Sequence, residues 1–262
     1  MFKKRILAAV FLFLFLFSFT GQVFSASVYN IAKVNNSEIS VGSSSYGNNM
    51  RIMVEKGSEK YYYSLNNKEE NLPIQLGDGT YTVKILQNVS GNRYKVLNKS
   101  NITVKGSNNL DVYLTSAQPV YWQGMDSVTS LSDNLTKSLS TDTEKVNAVY
   151  QYIIQNIKYD SNKINTISTD YVPQLENIIS SKSGICYDYA ALFAGMLRHQ
   201  GIPTKLVKGY KNDMKEYHAW NEVLINGKWV IIDTTYDGAL NSLKNKPSMY
   251  KSSSEYSKHR EY

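Results

Sequence analysis

Residues 216–238 read EYHAWNEVLINGKWVIIDTTYDG, and this stretch sets the geometry of the second half of the chain. Asn226 and Gly227 stand between two runs rich in β-forming residues, which is a strong signal for a hairpin with a two-residue type I′ turn. Such a turn fixes the register of the two strands. Counting outward, the sequence predicts the pairs Ile225 with Lys228, Leu224 with Trp229, Glu222 with Ile231, Trp220 with Asp233, and His218 with Thr235.

This register brings an imidazole and a carboxylate together. Side chains alternate between the two faces of a strand, so His218, Trp220, Asp233 and Thr235 should share one face. His218 and Asp233 would then be diagonal neighbours, roughly 7–8 Å apart at Cα and within reach of a hydrogen bond. A lone histidine is more often a surface or core residue, and a lone aspartate at a strand end is often a turn former. The predicted pairing is what favours a functional role for both.

The single cysteine of the chain, Cys186, lies in the stretch SGICYDYAALFAGMLRHQ, residues 183–200. From Tyr187 onward the residues are apolar on most sides of a helix, a pattern typical of a buried helix. Cys186 should therefore lie at the helix start, where the helix dipole favours a thiolate. A free cysteine can equally be a buried, inert residue. Together with a paired His218 and Asp233, however, it completes a set of nucleophile, base and orienting carboxylate.

Other chemistries lack a matching pattern. The three histidines, His199, His218 and His259, show no metal-ligand spacing with one another or with Cys186. No G-x-S-x-G or phosphate-loop motif is present. His199 ends the helix that starts near Cys186, where a basic residue complements the helix dipole. We predict no metal and no cofactor.

The N-terminus carries the features of a secretory signal peptide. Three basic residues precede the apolar run 6–19, which is shorter than the roughly 20 residues that span a bilayer. We therefore expect a secreted, extracellular protein without stable membrane insertion after signal removal. Removing those three basic residues reduces the formal net charge from +7 to +4. This charge does not indicate nucleic-acid binding and is compatible with association with an anionic cell wall.

The rest of the chain divides by composition. Residues 27–115 hold short alternating β-rich runs separated by Gly, Asn and Ser, which indicates a small β-sandwich. Within it, the run Tyr61-Tyr62-Tyr63 is either a binding platform or a set of ordinary strand residues. Thr141 and Glu144 have capping-box spacing before an amphipathic helix. The predicted organisation is a signal peptide 1–25, a β-rich domain 26–115, a linker 116–140, a catalytic domain 141–250 and a polar C-terminal tail 251–262.

Three motifs in this order resemble the transglutaminase-like superfamily. They are G-x-C at Gly184-Ile185-Cys186, H-A-W at His218-Ala219-Trp220, and D-x-T-x-D at Asp233-Thr234-Thr235-Tyr236-Asp237. The resemblance implies an α+β fold with a papain-like transglutaminase core, in which the nucleophile helix packs on an antiparallel sheet. The small β-sandwich-like domain would precede this core.

The resemblance also implies roles: Cys186 as nucleophile, His218 as base and Asp233 as orienting group, acting on an amide to form a thioester. Transfer to an amine, deamidation and peptide hydrolysis all remain open, with protein or peptidoglycan peptides as substrates. The backbone N–H of Cys186 is one expected oxyanion donor, and no motif identifies the second. The alternative function is a non-catalytic cell-surface binding or scaffolding module that retains the fold.

Overall fold

The computed structural model describes residues 28–242 and 248–262. The predicted signal peptide 1–25 lies outside the described residues. Among those residues, no helix is long and apolar enough to cross a lipid bilayer.

Two antiparallel sheets form the first half of the described chain. A three-stranded sheet has the order β1-β2-β5, and a four-stranded sheet has the order β4-β3-β6-β7. Apolar side chains from both sheets meet in one core, which matches the expected β-sandwich-like arrangement. The strands are β1 (Tyr29–Lys33), β2 (Glu38–Ser43), β3 (Met50–Lys56), β4 (Glu59–Ser64), β5 (Glu69–Pro73), β6 (Gly79–Ser90) and β7 (Arg93–Val104).

The second half of the described chain combines α-helices with a five-stranded sheet and a short two-stranded parallel sheet. Its helices are α1 (Asp126–Thr136), α2 (Asp142–Asn156), α3 (Leu175–Ser181), α4 (Cys186–His199) and α5 (Thr234–Ser242). Its strands are β8 (Lys158–Tyr159), β9 (Ser183–Gly184), β10 (Thr204–Lys211), β11 (His218–Ile225), β12 (Lys228–Ile232), β13 (Tyr250–Lys251) and β14 (Tyr256–Glu261). The last five strands form an antiparallel sheet of order β13-β12-β11-β10-β14. The α+β fold class predicted from the sequence is thereby confirmed.

Helix α4 is the centre of the second core. Eleven of its residues are buried, so it is enclosed on almost every side as its apolar composition predicts. It packs on β10 and β11 through residues such as Leu206 and Val223 and against α2 through Val149 and Ile153. Helix α2 begins with the predicted capping box, since Thr141 Oγ1 accepts from the Glu144 N–H at 3.2 Å and the Glu144 carboxylate accepts from the Thr141 N–H at 3.0 Å.

The hairpin register is correct for its first part and wrong for its last part. The structure pairs Ile225 with Lys228, and the pairing continues to Asn221 with Ile232. The predicted pairs Trp220 with Asp233 and His218 with Thr235 do not form, because the chain leaves the strand at Asp233 and enters α5. Asp233 caps that helix: its Oδ1 accepts the Tyr236 N–H at 3.0 Å, the usual role of an N-cap aspartate.

Two segments differ from the predicted organisation. The predicted linker 116–140 contains α1, whose Val128 is fully buried and whose Ser132 hydroxyl donates to the Met196 carbonyl of α4 at 2.9 Å. The predicted tail 251–262 contains β14, an edge strand of the five-stranded sheet paired with β10. Edge strands often carry charged side chains that discourage further pairing, and this polarity gave the segment the composition of a tail.

The tyrosine run of β4 follows strand alternation. Tyr61 and Tyr63 are buried in the core of the β-rich half, and Tyr62 is exposed between them. Tyr61 and Tyr63 are thus structural strand residues. Only Tyr62 offers most of its ring to solvent.

Candidate active site

Cys186 is the first residue of α4 and is half-buried. At this position the backbone N–H groups of the first helical turn have no partners within the helix. The predicted location of the cysteine at the helix start is confirmed.

The turn that presents Cys186 is fixed by a buried carboxylate, that of Asp188. This side chain is completely buried and accepts hydrogen bonds from the Ile185 N–H at 2.9 Å, the Lys163 ammonium at 2.6 Å and the Tyr171 hydroxyl. It therefore ties the residue before the cysteine to the segment 163–171. The two side-chain partners of Asp188 lie too far away in the chain for any local sequence pattern to reveal them.

Steric crowding explains why the first residue of the G-x-C motif, Gly184, is a glycine. A Cβ added to Gly184 would lie 2.7 Å from Asp188 Cβ and 3.0 Å from its Oδ2. Only glycine at this position lets the Asp188 carboxylate lie over the turn and reach the Ile185 N–H.

His218 and Asp233 are in direct contact. His218 Nε2 lies 2.8 Å from Asp233 Oδ2, and both side chains are almost completely buried. Since an ionised carboxylate can only accept, Nε2 carries the proton that it donates to Asp233. In the neutral imidazole, Nδ1 is then left with its lone pair, available to take a proton from a thiol.

The electrostatics of His218 point to a contact with Cys186 as well. Burial alone would lower the pKa of His218, but hydrogen bonds to Asp233 and Cys186 outweigh burial and raise it to about 10. The imidazole therefore lies between a carboxylate and the cysteine sulfur. The structure brings together all three residues that the sequence predicted: Cys186, His218 and Asp233.

The Asp233 carboxylate is itself held by neighbours from two elements. In addition to the Tyr236 N–H at the start of α5, the Tyr256 hydroxyl of β14 donates to Oδ2 at 3.0 Å. Sequence reasoning missed Tyr256 because it lies in the segment predicted to be a tail. No local pattern links this tyrosine to Asp233, 23 residues earlier.

Trp220 forms a wall of the site. It is almost fully buried, its ring stacks on His218 with a centroid separation of 6.4 Å, and its other neighbour is Tyr256 at 4.9 Å. Gly209 leaves room for it, since a Cβ there would lie 2.8 Å from the Trp220 ring. The indole therefore helps to exclude water from the His218–Asp233 pair.

Asp237, the second aspartate of the D-x-T-x-D motif, has a different environment from Asp233. It accepts from the Tyr150 hydroxyl at 3.0 Å and from the Lys251 ammonium. Burial raises its pKa to about 6, although Lys251 and Tyr150 oppose the shift. Its partners are structural elements, α2 and β13, and not the imidazole.

The Tyr159 side chain lies near Cys186. Tyr159 on β8 pairs in parallel with Gly184 on β9. Burial raises the pKa of Tyr159, and the neighbouring Cys186 adds to this shift.

Among the described residues, no group of three or more His, Cys, Asp or Glu side chains is arranged to hold a metal ion.

A cysteine at the start of a buried helix, beside a histidine at the start of an antiparallel strand and an aspartate just after the next strand, is typical of the papain-like class of fold. Residues 129–234 match the family model described as the transglutaminase-like superfamily, and this range includes Cys186, His218 and Asp233. The chain therefore carries a transglutaminase-like core domain, and the family resemblance expected from its motifs is confirmed.

Individual relatives are more distant. The chain is 28% identical to kyphoscoliosis peptidase of Homo sapiens over 141 residues, 50% of this chain and 20% of the relative. The match to the Mus musculus protein of the same name is 28% over 120 residues, 42% of this chain and 18% of the relative. The matched part of this chain thus spans about a fifth of the curated relatives. A candidate cysteine protease from Cytophaga hutchinsonii superposes with a TM-score of 0.42 at 16% identity, covering 76% of this chain and 74% of that chain.

Proposed function

We propose that this protein is a thiol-dependent enzyme that acts on peptide or protein amides, with Cys186 as nucleophile, His218 as general base and acid, and Asp233 as the orienting carboxylate. One observation carries the proposal: the buried His218 imidazole contacts Asp233 through Nε2 at 2.8 Å and has its pKa raised by both Asp233 and Cys186. That is the geometry required for a nucleophile, base and orienter set.

The first half of the reaction follows from this geometry. Cys186 gives its proton to His218 Nδ1 before substrate binds, since the raised pKa of His218 favours the imidazolium, and the resulting thiolate attacks the amide carbon to form a tetrahedral oxyanion. The Cys186 N–H at the helix start is positioned as one donor to that oxyanion. His218 then returns the proton to the leaving nitrogen, the C–N bond breaks, and a thioester to Cys186 remains.

The second half depends on the acceptor. Water attacking the thioester releases a carboxylic acid and restores the thiol, which is hydrolysis of a peptide bond or deamidation of a glutamine side chain. A primary amine instead gives a new amide, which is a cross-link. The curated relatives are named peptidases, and this supports water as the acceptor. Because the sequence also predicts a signal peptide, we propose that the substrate is an extracellular protein or a peptidoglycan peptide. We propose further that the enzyme associates with the cell wall.

The deciding experiment is mass spectrometry of glutamine-containing peptides and peptidoglycan stem peptides incubated with the protein, with and without a primary amine. A Cys186→Ala variant is the control. Cleavage or a deamidation shift that ignores the amine identifies a hydrolase, and amine adducts identify a cross-linking enzyme. If no peptide changes in a Cys186-dependent way, the non-catalytic binding module becomes the better explanation.

A further inference from the structure

A small cleft lies between the β-rich half of the chain and the core that carries Cys186. Its volume is about 90 Å³, several times the roughly 10–15 Å³ that a single water molecule requires. The lining includes Tyr63 of β4, Tyr171, Tyr187, Lys208 of β10 and Tyr262. Five of the eleven lining residues are tyrosines, and Lys208 is the one charged side chain among them.

Lys208 lacks the carboxylate or carbonyl partners that other lysines of low exposure have. Five of these lysines each contact a carboxylate: Lys84 with Glu55, Lys163 with Asp188, Lys205 with Glu261, Lys211 with Asp213, and Lys251 with Asp237. The half-buried Lys56 donates to the carbonyls of Leu76 and Gly77. Within residues 28–242 and 248–262, Lys208 has no ion pair with any carboxylate. Its ammonium instead lies over the Tyr187 ring at 3.4 Å from the centroid and 5.5 Å from that of Tyr262.

This arrangement leaves an ammonium charge incompletely compensated. Burial lowers the pKa of Lys208 to about 8, and the neighbouring Cys186 opposes that shift. Contact with aromatic faces stabilises a cation, but less than a carboxylate in the same low-dielectric site. An anionic group entering the cleft would therefore complete the pairing.

The cleft lies close to Cys186. Tyr187, which lines it, directly follows Cys186 in the chain, and Lys208 is near enough to Cys186 for the sulfur to affect its pKa. Lys208 and its strand partner Ala219 lie on the face of the sheet that packs on α4, the helix that begins with Cys186. The pairing of β10 with β14 shifts register between Lys208 and Gly209, and such bulges re-aim side chains next to functional sites.

We propose that this cleft binds a carboxylate of the substrate, with Lys208 as its counter-ion, beside the amide that reacts at Cys186. The inference rests on the proposed function, whose peptide substrates carry carboxylates as their anionic groups. Two sources supply this group: the free C-terminus of a peptide, or a glutamate or aspartate side chain adjacent to the reacting residue.

The first test needs no turnover. Iodoacetamide alkylation of Cys186 is followed by mass spectrometry with three peptides as protecting probes: acetyl-Ala-Gln-Ala with a free carboxylate, acetyl-Ala-Gln-Glu-amide, and acetyl-Ala-Gln-Ala-amide. We expect at least one carboxylate peptide to protect at about tenfold lower concentration than the neutral peptide, the effect of one charged hydrogen bond. Lys208→Met should abolish this difference and Lys208→Arg should largely retain it.

Lys99→Met is the matched control, because Lys99 is exposed on β7, at the opposite edge of its sheet from β4, which lines the cleft, and should leave protection unchanged. Preference for the first peptide assigns the C-terminal carboxylate, and preference for the second assigns an acidic side chain. Equal protection by all three peptides of the wild-type protein overturns the proposal, and this comparison does not depend on the folding of any variant. A selective Lys208 effect without turnover would leave the carboxylate site standing while the enzymatic function failed.

Discussion

The Asp188 carboxylate lies directly over Gly184, so that a methyl group on Gly184 would be 2.7 Å from Asp188 Cβ. This contact joins the turn before the nucleophile to Lys163 and Tyr171, the other partners of Asp188. The adjoining Asp170 is held in turn by the β-rich half, since its carbonyl accepts from the Ser64 hydroxyl at 2.9 Å. The β-rich half therefore braces the segment that positions Cys186.

Gly184→Ala should displace Asp188 and loosen the turn before Cys186. We expect a loss of about 1–3 kcal/mol in the free energy of unfolding, typical of overpacking at a rigid site, together with slower alkylation of Cys186. Urea unfolding and iodoacetamide labelling measure the two effects. Gly42→Ala is the matched control, because a Cβ there meets only ordinary contacts at 3.6 Å or more. If both variants behave alike, the steric account of the G-x-C glycine is wrong.

The two aspartates of the D-x-T-x-D motif should differ in their effect on turnover. In Asp233→Asn, the amide can donate to Nε2 and shift the imidazole proton to Nδ1, which removes the lone pair that receives the thiol proton. We expect a loss of roughly 10³–10⁴-fold in kcat with the fold intact, as for the analogous change in a serine triad. Asp237→Asn, whose side chain contacts Tyr150 and Lys251 instead, should lose far less. Equal losses measured on the same peptide would contradict the assignment of Asp233.

Local signals predicted much of this site, and long-range packing supplied the rest. The capping box of α2, the apolar α4 and the Asn226-Gly227 turn each depend on residues a few positions apart. The predicted strand pairing of Asp233 and Thr235 was wrong, because strand alternation was extended through Asp233, a residue that also suits a helix N-cap. The Asp188 contacts and the Tyr256 hydrogen bond join residues 17 to 25 positions apart, across which no periodic pattern acts.

The reactivity of Cys186 should depend weakly on pH near neutrality. Hydrogen bonds to Asp233 and Cys186, acting against burial, raise the pKa of His218 to about 10, so the imidazolium that stabilises the thiolate persists well above neutral pH. The rate of iodoacetamide alkylation should therefore stay nearly constant from about pH 7 to about pH 9. An ordinary thiol, with a pKa of about 8.5, gains rate steeply over that range. His218→Gln should restore the ordinary profile, and a steep profile in the wild-type protein would count against the ion pair.

We expect Tyr256 to contribute to both stability and turnover, although it lies in the polar C-terminal strand β14. Removing its hydroxyl in Tyr256→Phe takes away one of the groups that hold the Asp233 carboxylate, and we expect a loss of about 0.5–1.5 kcal/mol in unfolding free energy and a lower kcat. Tyr250→Phe is a suitable control, because Tyr250 is exposed at the opposite edge of the sheet. Unfolding and peptide turnover measured for both variants should separate them; identical behaviour would show that the Tyr256 contact contributes nothing.

Asp237 should make the protein less stable as the pH rises through about 6. Burial raises its pKa to about 6 in the folded chain, against about 3.9 for an unfolded aspartate. Between these two values the folded chain binds more protons than the unfolded chain, so the free energy of unfolding falls as pH increases. The stabilisation is present at about pH 4 and is lost above about pH 6, with an upper limit of about 3 kcal/mol. Urea unfolding of the wild-type protein and Asp237→Asn across this range isolates the effect, since the asparagine variant lacks this proton. A difference between the two proteins that is constant with pH would show that folding does not shift the pKa of Asp237, and one that changes in the opposite direction would show that Lys251 holds Asp237 ionised; either result contradicts the prediction.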